Sequence, residues 1–136
     1  MKKVCLFAMI FCSMACMGMR IQSSETDSKQ DITVKLQVPD SGWRIRILEI
    51  HKVNKELWVI SEVYRMKGMA AQAISTVEDT ATVPVSELPV IHFVIGKTWN
   101  WSDGSPYTFI GSKDEIMKNL KSGECLYKRE IKSNRL

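Results

Sequence analysis

The sequence predicts a mostly β fold, a small antiparallel β-sandwich-like domain with one short C-terminal α-helix, on three observations. Ile32, Val34, Leu36 and Val38 alternate with Thr33, Lys35 and Gln37, the period of two of a strand with one buried face. Leu57 to Tyr64 and Val90 to Ile95 are dense in β-branched and aromatic residues with little alternation, as in strands covered on both faces. Helix punctuation surrounds a single stretch, residues 112–123. With 136 residues, 45% apolar and 25% charged, the chain has the make-up of one globular domain, not of a disordered or polytopic membrane protein.

After the first strand, Pro39-Asp40-Ser41-Gly42 is turn chemistry, proline fixing one dihedral and glycine accepting positive φ. Trp43, Ile45 and Ile47 then alternate with Arg44 and Arg46, but Leu48 and Ile50 are apolar in the opposite phase. A β-bulge near Ile47-Leu48 produces that change of phase. Residues 53–56 make the next turn, and Leu57 to Tyr64 follows as a central strand. Met66-Lys67-Gly68-Met69 breaks the run. Ala70 to Val77, small residues that suit helix by propensity or strand by position, is read as a strand, Thr80 to Val85 as a short extended piece whose Pro84 argues for an edge, and Val90 to Ile95 as the most buried strand. Gly96 to Pro106 is a loop, and Tyr107 to Ile110 one more short strand. Ser112-Lys113-Asp114-Glu115 has the form of a capping box opening a helix over 113–122. Ile116 and Leu120 share its buried face, Lys118 and Lys121 suit its C-terminal dipole, and Gly123 stands at C′. Cys125 to Ile131 closes the domain as a strand.

Residues 1–15 read as a signal peptide: Lys2 and Lys3 precede an apolar run from Val4 to Met14 that is shorter than the roughly 20 residues of a permanent span. Ser13-Met14-Ala15 places small residues where signal peptidases inspect, with Cys16 next. The junction resembles the bacterial lipobox, with Ser13 where that pattern usually has Leu and Met14 where it has a small residue. The resemblance implies lipid on Cys16; cleavage that frees a periplasmic or secreted chain is the competing outcome. Residues 16–30, polar from Gln22 onward, form a flexible tether, and residues 31–136 the single β-rich domain.

Three of the 4 cysteines (Cys5, Cys12 and Cys16) belong to the leader or its end. Cys125 is therefore expected as a buried, inert thiol, with no disulfide framework unless Cys16 remains a thiol and reaches it. His51 at a strand end is expected to face solvent, and His92 to pack in its strand with one hydrogen bond. With these 2 histidines and no Cys-x-x-Cys or His-Glu-x-x-His spacing, neither a metal site nor a cofactor is expected. Ser41-Gly42 and Gly104-Ser105 lack the Gly-x-Ser-x-Gly elbow, and Glu78, Asp79 and Asp103 are too scattered for a catalytic carboxylate pair. Without Lys2 and Lys3, the 19 basic and 15 acidic residues leave an excess of only about two, interleaved with acids, which argues against nucleic acid. Arg44 and Arg46 are read as one solvated strand face.

Trp99-Asn100-Trp101, with Tyr107 close behind, stands apart. In an extended segment two indoles at i and i+2 share a face, on which a partner's side chains or a sugar ring would stack; the same residues would serve as core, closing one end of the sandwich. The stretch Val38-Pro39-Asp40-Ser41-Gly42-Trp43-Arg44-Ile45-Arg46-Ile47, then Leu57-Trp58-Val59, then Met66-Lys67-Gly68-Met69-Ala70-Ala71-Gln72-Ala73, resembles the PrcB C-terminal domain family over roughly residues 36–95. In that family a Pro-Thr-Gly-Gly-Tyr turn leads into an alternating strand; here Asp40-Ser41 and Trp43 stand at the varied positions. The resemblance implies a small β domain of exported, often lipid-anchored bacterial proteins, associated in its naming member with stabilising an extracellular protease complex, and it carries over no catalytic residue. The expectation is thus a non-enzymatic module of the cell envelope that binds a protein partner through Trp99, Asn100, Trp101 and Tyr107, or in the alternative a glycan through Trp99, Trp101 and Tyr107. If Cys16 is the lipidated N-terminus, the intact mass of the mature protein will begin at Cys16 and carry diacylglycerol and fatty acyl increments; an unmodified Cys16 removes the anchor from this picture.

Overall fold

The computed structural model describes residues 28–132. The expected signal peptide, Cys16 and the expected tether as far as residue 27 lie outside the described residues. Gln30, expected at the tether's end, is the first residue of a strand. The chain forms two sheets: β1 (Gln30–Val38) pairs antiparallel with β4 (Ser75–Val83), while β2 (Trp43–Val53), β3 (Glu56–Arg65), β5 (Val90–Ile95), β6 (Thr108–Ile110) and β7 (Glu124–Lys128) make a larger sheet in the order β6-β5-β3-β2-β7. A 3-10 turn, Lys113–Ile116, runs into a single α-helical turn, α1 (Met117–Leu120).

The alternating strand folds as its pattern requires. Ile32, Val34, Leu36 and Val38 are buried and their neighbours exposed, so the β1–β4 ribbon lays one apolar face on the larger sheet. There it meets Trp43, Ile45, Ile47, Ile50, Leu57, Val59, Val63 and Val94, with Ala81 and Val83 from β4. On the opposite face Val53, Ile60 and Phe93 pack with Ile116 and Leu120, so the short helical segment is a third layer. β3, paired on both edges and apolar on both faces, runs through the centre.

The bulge lies where the change of phase put it: between Ile47 and Glu49 the register with β3 shifts, and Leu48 is the extra residue. The backbone groups of Ile47 beside it are taken up by side chains, while the Leu48 carbonyl accepts the Arg129 N–H at 2.8 Å. Asp79 of β4 accepts the Ile47 N–H at 2.8 Å, Arg129 donates from Nε to the Ile47 carbonyl at 3.0 Å, and the Arg129 guanidinium bonds Asp79 at 2.7 Å.

Other expectations are corrected. The stretches 70–77 and 80–85 are not two strands. Residues 70–74 are irregular, and β4 runs unbroken from Ser75 until just before Pro84, which has no N–H for a ladder. Because β4 leaves for the other sheet, β5 returns in the direction of β3, so the β3–β5 and β5–β6 pairings are parallel within a domain expected to be antiparallel. β5 is only partly buried, since its outer neighbour β6 is short; β3 holds the central place instead. The helix is shorter than 113–122, and the capping box does not close. Its first turn is 3-10, Ser112 makes no side-chain cap, and Glu115 accepts from the Gly111 N–H at 2.8 Å. Gly123 is not a left-handed cap either. A Cβ there would lie 2.8 Å from the Lys52 carbonyl oxygen, so glycine is required by close approach to β2.

Asp79→Ala strands the Ile47 N–H and removes the carboxylate facing Arg129. We expect a loss of about 1–3 kcal/mol in urea unfolding, with the m-value unchanged.

Candidate functional site

Trp99, Asn100, Trp101 and Tyr107 all lie on the connection between β5 and β6, which folds back over the ribbon. Gly96 turns it with φ +95°, and a Cβ there would meet the Val63 carbonyl oxygen at 2.3 Å. The connection then lies along the outer edge of β1. Tyr107 Oη accepts the Lys35 N–H at 3.0 Å and Asp103 Oδ2 accepts the Gln37 N–H at 2.9 Å, so alternate outward amides of β1 are met by side chains rather than by a strand. Burial alone would raise the Asp103 carboxyl. Hydrogen bonds from the Ser105 hydroxyl and from the amides of Gln37 and Ser105 outweigh it and hold the group below the usual aspartate value.

The aromatic residues divide. Trp99 packs on the core, edge-on to Trp43 at 5.1 Å between centroids, with the Lys97 ammonium 5.5 Å from its ring centroid. Tyr107 packs on the same core and stacks on His92 at 4.8 Å. Trp101 lies 5.8 Å from Trp99 with the planes tilted by 36°, and Asn100 beside it is exposed. The indoles share a neighbourhood, as the i, i+2 spacing implied, but not a coplanar, open platform. A cleft of about 290 Å³ opens beside Lys35, Leu36, Gln37, Thr76 and Asp103–Ser105, yet both Asp103 oxygens that border it are already hydrogen-bonded.

A surface the sequence did not single out is the connection between β3 and β4, residues 66–74. Met69 is fully exposed, Ile74 69% and Met66 51%. The segment contains one cation, Lys67, and no acid. It is nevertheless tied down. Met66 N–H bonds the Gly42 carbonyl, Ser41 N–H bonds the Ala71 carbonyl, and Ser41 Oγ accepts the Ala71 N–H at 2.8 Å. Gly42 eases this approach, because a Cβ there would crowd that of Ala70 at 3.0 Å. The available signal was negative: two methionines and an isoleucine with neither strand nor helix period.

All three histidine and cysteine expectations change. His51 does not face solvent; its Nε2 meets Glu49 at 2.8 Å, and Lys113 reaches Glu49 at 2.7 Å from the 3-10 turn. Burial would raise the Glu49 carboxyl, but the hydrogen bonds and charges of Lys113 and His51 prevail and leave it lowered. Cys125 is exposed, not buried, because β7 is an edge strand; its Sγ lies 3.4 Å from the Tyr127 carbonyl. His92 is half-buried on the inner face with Nδ1 unpartnered, without the hydrogen bond expected there. Arg46 spans Glu62 and the face of Tyr64, a paired strand surface. Among the described residues no three His, Cys, Asp or Glu are placed to hold a metal ion.

Comparison of the chain with models of known families, with curated proteins and with solved structures returns no match in any of the three. Function is therefore argued from this surface alone. Trp99→Ala removes a ring from the core and should destabilise the fold by about 2–4 kcal/mol, whereas Trp101→Ala should change it by less than about 1 kcal/mol. Thermal unfolding of the two variants distinguishes the ring packed on the core from its half-buried neighbour outside it.

Proposed function

We infer that this chain is an exported, lipid-anchored, non-enzymatic β module that binds or stabilises a protein partner at the cell envelope. The observation that carries the reading is the apolar connection 66–74, exposed in Met66, Met69 and Ile74 yet fixed to the 39–42 turn. An exposed apolar segment held in place loses little conformational freedom on docking, and thioethers adapt to irregular protein surfaces.

Position supports the same reading. Trp43 follows Gly42 directly and carries Trp99 on its ring, so Asn100 and Trp101 belong to the same end of the sandwich as the 66–74 connection. The chain enters β1 at Gln30, at the far end of the strand, about 30 Å away at the rise of an extended strand. A tether from Cys16 would therefore join the domain at the end opposite its methionines and Trp101, leaving them clear of the anchor. Trp99 and Tyr107, packed inward, would support this surface from behind.

The test is affinity capture with the mature chain immobilised in detergent-solubilised envelope of the source organism, beside a Met69→Glu/Ile74→Glu double variant and Trp101→Ala. A stoichiometric protein retained by the native chain and lost from the double variant is expected. A captured glycan, retained by the double variant and lost with Trp101→Ala, would replace this reading by a glycan-binding one.

A further inference from the structure

The seat of the 96–107 connection has a property that its packing does not require. Its inner side gathers polar groups without partners: among the described residues, His92 Nδ1, Ser61 Oγ and Trp99 Nε1 are buried and make no hydrogen bond. Ser61 and His92 lie on the same face of the larger sheet, since Val59 pairs with His92 and Ser61 with Val94, and Val59 and Val94 belong to the core beneath the ribbon. Buried polar groups are nearly always satisfied, so such a concentration marks a place where closure is held by weak margins.

His92 is the titratable member. Around it stand Val90 and Val94 of its own strand, Leu57, Val59 and Ser61 of β3, and Tyr107 of the connection. Of these only Tyr107 carries an ionisable group. The charged residues of the connection and its edge are Lys35, Lys97 and Asp103. Asp103 is occupied by Gln37 and Ser105, while the Lys97 ammonium bonds the Trp99 carbonyl at 2.7 Å and lies over the Trp99 and Phe109 rings. A proton arriving on His92 would find no acceptor at Nδ1. The face of Tyr107 offers only a tilted ring, which recovers part of the lost hydration. The readiest relief is for Tyr107 to move off and admit water. Tyr107 Oη is also the acceptor of the Lys35 N–H, so that movement bares the edge of β1.

We propose that the 96–107 connection is an acid-released latch: protonation of His92 displaces Tyr107 and exposes the outer edge of β1 at Lys35. Desolvation lowers the His92 pKa below the usual histidine value, which gives the sign. The closed seat binds fewer protons than the open one, so closure is fully stable above about pH 6.5 and weakens as pH falls through the lowered value. The Asp103 cap on Gln37 behaves differently, because its carboxyl is held low and stays ionised until far more acid conditions.

Amide hydrogen exchange of the full chain, resolved by residue and corrected for intrinsic rates, tests this between about pH 7.5 and about pH 5. Protection of the Lys35 N–H should fall by about ten-fold or more relative to that of Leu36 within the same strand. His92→Gln should abolish the pH dependence, and Tyr107→Phe, which keeps the ring but loses the acceptor, should leave Lys35 poorly protected at both pH values. Parallel behaviour of Lys35 and Leu36 across the range in the native chain would overturn the proposal, even if neither variant folds. Persistence of the fall in a folded His92→Gln variant would overturn it too.

Discussion

The architecture depends on finding acceptors for backbone N–H groups along strands that no further strand completes. The β1–β4 ribbon and the larger sheet are separate ladders, joined by apolar contact and by two carboxylates. Asp79 reaches from β4 to the Ile47 N–H at the β2 bulge, and Asp103 reaches from the β5–β6 connection to the Gln37 N–H on the free edge of β1. A half-buried N–H left unmet costs about 1–3 kcal/mol, comparable to removing a methylene or two from a core, so Asp79 at the Ile47 amide adds to packing in fixing the ribbon's place. The charged acceptors also face the right donors. Arg129 neutralises Asp79 on one side, and Ser105 completes the shell of Asp103 on the other.

The third layer follows the same economy of contacts. A 3-10 turn and one α-helical turn contribute only Ile116 and Leu120 to the second apolar cluster, too little to hold the layer by burial alone. Lys113 anchors its start on Glu49 of β2, and Gly123 lets its end approach the Lys52 carbonyl. Glu49, nearly buried yet ionised, is tolerated there because Lys113 and His51 both hydrogen-bond it.

What could be read from the sequence was what local pattern encodes. The alternation at 32–38 specified which face of β1 is buried, and the change of phase at Leu48 specified a bulge, because side-chain period and backbone register are locked together. Turn chemistry placed the 39–42 and 53–56 turns, and Asn54 takes positive φ at 56°, whereas Gly42 does not take the positive φ expected of it. What could not be read was set by the return path of the chain. That β4 joins the other sheet decides the parallel pairing of β5, and nothing in residues 90–95 records it. Cys125 was misplaced because exposure depends on β7 being an edge. His51 was misplaced because its partner Glu49 lies two residues away along the strand and Lys113 far along the chain. Trp99 and Trp101 were legible as neighbours; their division into an inner and an outer ring comes from Trp43, contributed by another strand.

That division bears on how the module recognises a partner. A sugar-stacking platform needs rings open on one face and nearly coplanar, and here Trp99 is engaged by Trp43 and Lys97 while Trp101 is tilted against it. A protein contact asks less of ring geometry and more of exposed apolar area held in one conformation. The 66–74 connection provides such area through Met66, Met69 and Ile74, and the Ser41–Ala71 hydrogen bonds hold it against the first turn of the fold. The tie is close: a Cβ at Gly42 would lie 3.0 Å from that of Ala70, and Ser41 serves Ala71 with both its amide and its hydroxyl. The same short turn that directs β1 into β2 therefore also sets the orientation of the exposed methionines, so a change at Gly42 or Ser41 would act on recognition through position, without touching a contacting side chain.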